Sequence, residues 1–156
     1  HYLQFSNRKL EGDEEKFTLS ILKDSMRKIG IDAQMQNDIF QLLSAILSMG
    51  NLLFEDHGED VAATITNPDL LARCCMLLHV DPGSLEAALV THKLHQSDKN
   101  QVEETKSGAR PRRMTVAIKY HNKEQAVVSR DTLAKELYNR LFLWIVNAIN
   151  SNIEYR

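Results

Sequence analysis

The stretch SRDTLAKELYNRLFLWIVNAIN, residues 129–150, decides how the rest of the chain is read. Leu133, Leu137, Leu141, Phe142, Trp144, Ile145 and Ile149 recur at three- and four-residue intervals. That spacing gathers them on one wide face of a helix and turns Lys135, Glu136, Asn139 and Arg140 away. Asp131 and Thr132 stand where an N-cap and first turn belong, offering a side-chain acceptor and a negative charge to unpaired amides. The pattern predicts a long core helix over 129–150, holding the only tryptophan, around which other helices pack.

Immediately before it lies a cationic segment. From Lys106 to Lys123 there are six cations and no acid. Within it Met114, Val116, Ile118 and Tyr120 alternate with polar positions, which predicts a strand, with Asn122-Lys123 as its turn. Residues 97–108 are polar and read as a loop. The contrasting acidic run is Glu55-Asp56-His57-Gly58-Glu59-Asp60. A local basic patch on a chain of net charge −2 points to an acidic partner surface.

The N-terminal half reads as paired helices. Residues 1–15 form a surface connection. Phe17, Ile21, Leu22, Met26 and Ile29 then mark an amphipathic helix ended by Gly30, a residue free to adopt the left-handed C′ conformation. Asp32 caps a second helix with the stripe Ile39, Leu42, Leu43, Ile46 and Leu47, ended by Gly50. Asn67-Pro68-Asp69 predicts a third start, with Asn67 as cap. Ser84, after Asp81-Pro-Gly83, caps a short fourth helix.

These segments carry a resemblance. Asp131-Thr-Leu-Ala-Lys135, Tyr138, Arg140-Leu-Phe142, Trp144-Ile-Val146 and Ile149-Asn150 resemble the D-x-L-A-K helix of the myosin motor head. Phe17…Met26…Ile29-Gly-Ile31 and Ile39-Phe40…Leu43-Ser-Ala-Ile-Leu47…Gly50-Asn51…Phe54 are similar to helices of the same family in the same order. Ser48 and Met49 depart mildly from its pattern. The region around Leu70–Leu89 also matches, except that His79 replaces the usual turn glycine.

The resemblance implies a mainly α fold: amphipathic helices around a long C-terminal helix, with a small basic hairpin-like loop, inside a larger phosphate-loop NTPase motor. Residues 1–156 then correspond to part of the motor domain, the upper actin-binding subdomain between the two nucleotide switches. Residues 106–125 correspond to its actin-facing loop and 129–150 to its long core helix. It implies that Arg110, Arg112, Arg113, Lys119 and Lys123 contact actin. Thr115, sixteen residues before Asp131, occupies the place where the family carries an acidic or phosphorylatable residue. Arg112 and Arg113, three and two residues upstream, suit recognition by a basophilic kinase. The implied partners are the actin filament and the remainder of the motor head, with ATP and Mg bound elsewhere in the motor.

Chemistry inside the chain is not indicated. The six glycines are scattered, with none in the spacing that lets backbone amides cradle phosphate before a Lys-Ser/Thr. No catalytic, cofactor-binding or metal-binding constellation is specified. His92 and His95 are three apart but have no evident third ligand. The competing reading is a non-enzymatic helical module binding an acidic partner. Nucleic acid is disfavoured because only Tyr120 is available to stack bases near the basic patch. A composition with 43% hydrophobic and 26% charged residues is ordinary for one globular domain, and no apolar run reaches membrane-spanning length. The chain starts at His1 and not at Met, which suggests a piece of a longer protein, and no signal peptide is visible. A disulfide between neighbouring Cys74 and Cys75 on a helix is implausible, which suits a reducing compartment, the cytosol; the resemblance implies the cytoskeleton within it.

Overall fold

The computed structural model describes residues 12–58, 61–96 and 115–153. Its elements run α1 (Gly12–Lys28), α2 (Ala33–Met49), β1 (Phe54–Glu55), β2 (Thr64–Ile65), α3 (Pro68–Leu78), α4 (Pro82–Val90), β3 (Thr91–Gln96), β4 (Thr115–Tyr120) and α5 (Lys123–Ile153). The fold is mainly helical, with two antiparallel two-stranded ribbons, β1–β2 and β3–β4.

Helix α1 starts at Gly12, within the stretch expected to be a surface connection. It ends as its glycine demands. Gly30 takes φ +83°, and the Ile31 amide reaches back to Met26 O at 2.9 Å. This closing bond satisfies a terminal carbonyl and buries Ile31 against Met26. Asp32 caps α2 as expected, accepting from the Met35 amide at 2.9 Å. Behind the turn sits buried Gln36, whose Nε2 donates to both Lys23 O and Ile31 O at 3.0 Å. A buried amide satisfied this way fixes the angle between α1 and α2.

Three expected caps are placed differently. Asn67 makes no side-chain bond to α3. Its Oδ1 accepts from the Leu53 amide and its Nδ2 donates to Asn51 O, so it ties α3 to the chain entering β1. Asp81, not Ser84, caps α4, because its carboxylate can accept from the Ser84 amide at 2.9 Å while Ser84 already lies inside the helix. Asp131 lies in the interior of α5, which begins eight residues earlier, at Lys123. The reason is the sequence Asn122-Lys-Glu-Gln125. The Asn122 side chain accepts from the Gln125 amide at 2.9 Å, and the Gln125 side chain accepts from the Asn122 amide at 3.2 Å. This reciprocal box satisfies two amides and outcompetes a start at Asp131.

His79 keeps the turn that a glycine would make. It adopts φ 54°, the Val80 amide closes on Cys75 O at 3.1 Å, and Gln41 Nε2 donates to Leu77 O at 2.9 Å beside the His79 ring. Histidine tolerates this region better than most residues.

Two apolar clusters make the core. One gathers Met49, Leu52, Phe54, Leu71, Cys74, Leu85 and Leu89 with Ala126 and Ala134 of α5. The other joins Met26, Ile31 and Ile39 to Leu141 of α5. Helix α5 therefore spans both, as the expected spine. Its apolar face is nonetheless divided. Leu133, Leu137 and Ile145 pack inward with Leu141, whereas Tyr138, Phe142, Leu143 and Trp144 are exposed. The stripe of α1 is similarly uncovered at Phe17, Ile21 and Leu22. Cys74 and Cys75 are buried free thiols; burial pushes Cys74 up to about 11 and raises Cys75 as well, so both stay protonated and unreactive at neutral pH.

Gly30 also marks where the far end of α5 meets the α1–α2 turn. A Cβ built there would lie 2.6 Å from the Asn152 side chain. Gly30→Ala is expected to destabilise the protein by about 2 kcal/mol, combining left-handed backbone strain with this overlap. Denaturant unfolding of Gly30→Ala with and without Asn152→Ala checks it. The second change should recover only the steric part; an unshifted midpoint in Gly30→Ala would refute the account.

Candidate functional site

The basic segment folds back on the chain before it. The strand expected up to Tyr120 is present over its described part, but its partner is β3, upstream, and not a segment beyond Asn122-Lys123. Thr115 pairs with Gln96, Ala117 with Leu94, Lys119 with His92 and Tyr120 with Thr91. His92 and His95, weighed above only for their spacing, are thus strand residues. Among the described residues no group of three or more His, Cys, Asp or Glu side chains is placed to hold a metal.

Of the expected partner-contacting residues, Lys119 lies exposed on β4 and Lys123 is the first residue of α5. Thr115 opens β4, four positions before Lys119. Arg110, Arg112 and Arg113 lie outside the described residues. Ile118 and Tyr120, on the alternate side, are about half exposed.

The root of the ribbon is organised by His121, a residue that no motif or periodicity in the sequence singles out. Its amide donates to Val90 O at 2.8 Å and its carbonyl accepts from the Ala63 amide at 2.9 Å. Its ring Nδ1 lies 3.0 Å from Leu89 O and 3.1 Å from Ser129 Oγ. A carbonyl only accepts, so Nδ1 carries the proton and Nε2 is the free nitrogen. The ring stacks on His92, centroids 6.3 Å apart and planes inclined by 16°. One residue thereby joins α4, the β2 strand entry, β3 and α5.

The acidic loop completes the junction. Asp56 Oδ1 accepts from the Lys123 amide, placing a carboxylate on the positive end of α5. Next to it, the His57 ring is hydrogen-bonded to Thr64 Oγ1 at 2.7 Å. Deeper in, Arg130 donates to Leu52 O at 2.9 Å and pairs with Asp131 at 2.8 Å. Part of the charge read as an isolated acidic loop therefore serves helix capping. A surface pocket of about 380 Å³ opens at the root, lined by His92, Lys119, His121, Glu124, Val128 and Ser129 among others.

The amides at the starts of α2 and α4 face Asp32 and Asp81, and the start of α5 faces Asp56. Carboxylates there repel phosphate and occupy the donors it would need.

Comparison with known proteins yields a consistent assignment. The family model described as "Myosin head (motor domain)" matches residues 1–156. The chain is 36% identical over 142 residues to Myosin IC heavy chain of Dictyostelium discoideum, covering 91% of this chain and 11% of that protein. It is 35% identical over 133 residues to Myosin-1 of Pyricularia oryzae, covering 85% and 10%. To Myosin IA heavy chain of Dictyostelium discoideum it is 33% identical over 146 residues, covering 94% and 14%. The chain spans roughly a tenth of the length of these relatives.

The junction makes its own stability prediction. Asn122→Ala and Asp56→Ala should each cost about 1 kcal/mol, since each removes an acceptor from a first-turn amide of α5. Because both act on the same turn, the double variant should fall short of the sum. Amide exchange at residues 123–126 together with denaturant unfolding measures this; full protection in both single variants would rule the capping scheme out.

Proposed function

The chain belongs to the myosin head family, and from that premise we propose that it is a segment of an actin-based, ATP-driven motor. It supplies the scaffold helices of the upper actin-binding subdomain, between the two nucleotide switches of a phosphate-loop NTPase. It also supplies one actin-contacting loop, the β3–β4 hairpin. ATP and Mg are held by other parts of the motor, and no catalytic residue lies in this chain. The partners are the actin filament and the rest of the head, in the cytoplasmic cytoskeleton.

The observation that carries this reading is the seating of the hairpin. A ribbon with Lys119 exposed is stitched at its root to the N-terminus of a helix that runs through both cores. Such a ribbon presents charge to a partner from a firm base. Actin's surface is acidic, so Arg110, Arg112, Arg113, Lys119 and Lys123 attract it over distance and pair with it at contact. The exposed apolar faces of α1 and α5 provide surfaces for the rest of the head. Neutralising the five cations together in the intact motor should weaken actin binding about tenfold at low salt and flatten its salt dependence. Cosedimentation across a salt series measures both quantities. Unchanged affinity and slope would remove the hairpin from the interface.

Thr115 adds regulation to the same loop. Phosphate there brings up to about two negative charges two and three residues after Arg113 and Arg112 in the chain. Thr115→Ala and Thr115→Glu should therefore differ in actin-activated ATPase of the whole motor. Equal rates would dismiss Thr115 as a switch.

A further inference from the structure

We propose that the groove between α2 and α5 is a binding site for a small hydrophobic cation, an aromatic molecule that carries a protonated amine. Met35, Ile39 and Leu42 of α2 line it together with Leu137, Leu141 and Trp144 of α5. Its volume of about 380 Å³ lies in the range of small-molecule sites. Less than one turn of a helix about 10 Å wide would fill it, so a small molecule suits it better than a packed helix.

The floor of the groove is held by packing already present. Ile39 and Leu141 are buried in the second apolar cluster, and Leu137 packs against the first. Leu42 packs against both, so the groove lies where the two cores meet. A ligand seated there touches both helices and braces α2 against α5. The exposed rings of Tyr138 and Phe142 belong to a different surface, shared with Thr132 and Lys135.

Charge at the rim selects the ligand. Asp38 of α2 and Arg140 of α5 border the groove. Arg140 already has a counter-charge on its own helix, for its Nε donates to Glu136 Oε1 at 2.7 Å. Asp38 has only a neutral partner, accepting from Gln34 Nε2 at 2.9 Å. None of the ion pairs among the described residues includes Asp38. Two carboxylates against one guanidinium leave this rim negative, which favours a cation and disfavours an anion. The indole of Trp144 borders the same groove, and the face of an indole attracts an ammonium group. An apolar body in the cleft with its amine at Asp38 uses all of these groups at once. This site is a property of α2 and α5 and does not depend on which partner the hairpin meets.

Isothermal titration of the intact protein with three probes built on one biphenyl body tests the assignment. They are 4-phenylbenzylamine, protonated at neutral pH, 4-phenylbenzyl alcohol and 4-phenylbenzoate. The amine should bind about fivefold tighter than the alcohol, and the benzoate should bind most weakly. Protection from amide exchange by saturating amine should fall on peptides spanning 35–42 and 137–144. In Asp38→Asn the alcohol should bind as it does to the wild type, which shows the cleft intact, and the amine should come within about twofold of it. Met35→Lys sets an ammonium three residues from Asp38 on the same helix and should likewise remove the amine's advantage. The proposal is overturned if no probe binds, as when another part of the head fills the groove, or if protection falls on other segments. It is equally overturned if the wild type shows no preference for the amine, or if either variant keeps that preference.

Discussion

Much of the structure depends on satisfying the open amides at the start of α5. A helix of this length leaves its first amides unpaired, and here they sit where a ribbon rejoins the body. Asn122 and Gln125 close on one another, and Asp56 crosses from the acidic loop to the Lys123 amide. Three side chains from two distant segments thus fix one point. His121, one residue earlier, adds backbone bonds to Val90 and Ala63 and a ring bond to Leu89. The direction of the hairpin and the position of α5 are therefore a single structural variable.

Charge placement follows the same pattern. Asp32, Asp81 and Asp56 all serve helix N-termini, where a carboxylate gains from the helix dipole and a hydrogen bond together. Acidic side chains used in this way are neutralised in part by the backbone. Lys119 and Lys123 face outward instead: Lys119 is exposed opposite His92, and the side chain of Lys123 is exposed even though its amide is bound. The overall charge of −2 understates how basic the hairpin is toward a partner.

What was legible in the sequence divides along local and non-local lines. Gly30, Asp32 and the stripe Ile39, Leu42 and Ile46 act within a turn or two, and their roles were readable directly. The start of α5 was readable in principle, since Asn122-Lys-Glu-Gln125 has the reciprocal capping spacing, but the apolar periodicity beginning at Leu133 drew the boundary to Asp131. Alanines explain that error: Ala126 and Ala134 are buried against the first cluster yet contribute little to a hydrophobic pattern. The partner of β4 was not legible, because residues 91–96 are polar and lie far upstream in the sequence. The same holds for Asp56, whose bond to Lys123 spans 67 positions, and for His121, whose contacts come from four elements. Asn67 carries the commonest cap chemistry and directs it to strand-entry carbonyl and amide groups instead.

The division of α5's apolar face has a mechanical consequence. Between Lys123 and Ile153 the helix contains no glycine or proline, so nothing in it favours a kink. At 1.5 Å per residue its 31 residues span about 46 Å. One end is pinned to the hairpin root, and the other lies against the α1–α2 turn at Gly30. Between them Tyr138, Phe142, Leu143 and Trp144 face outward. Apolar groups at positions 138 and 142 are one turn apart and line a shared surface with Lys135 and Asn139, while Trp144 borders a separate groove with Met35 and Leu42 of α2. Both surfaces lie on the same rod that carries the hairpin. The rod is unbroken and its root is stitched by four elements, so its two ends are joined through one continuous helix. A glycine in the 129–137 stretch, leaving both ends intact, would separate the two.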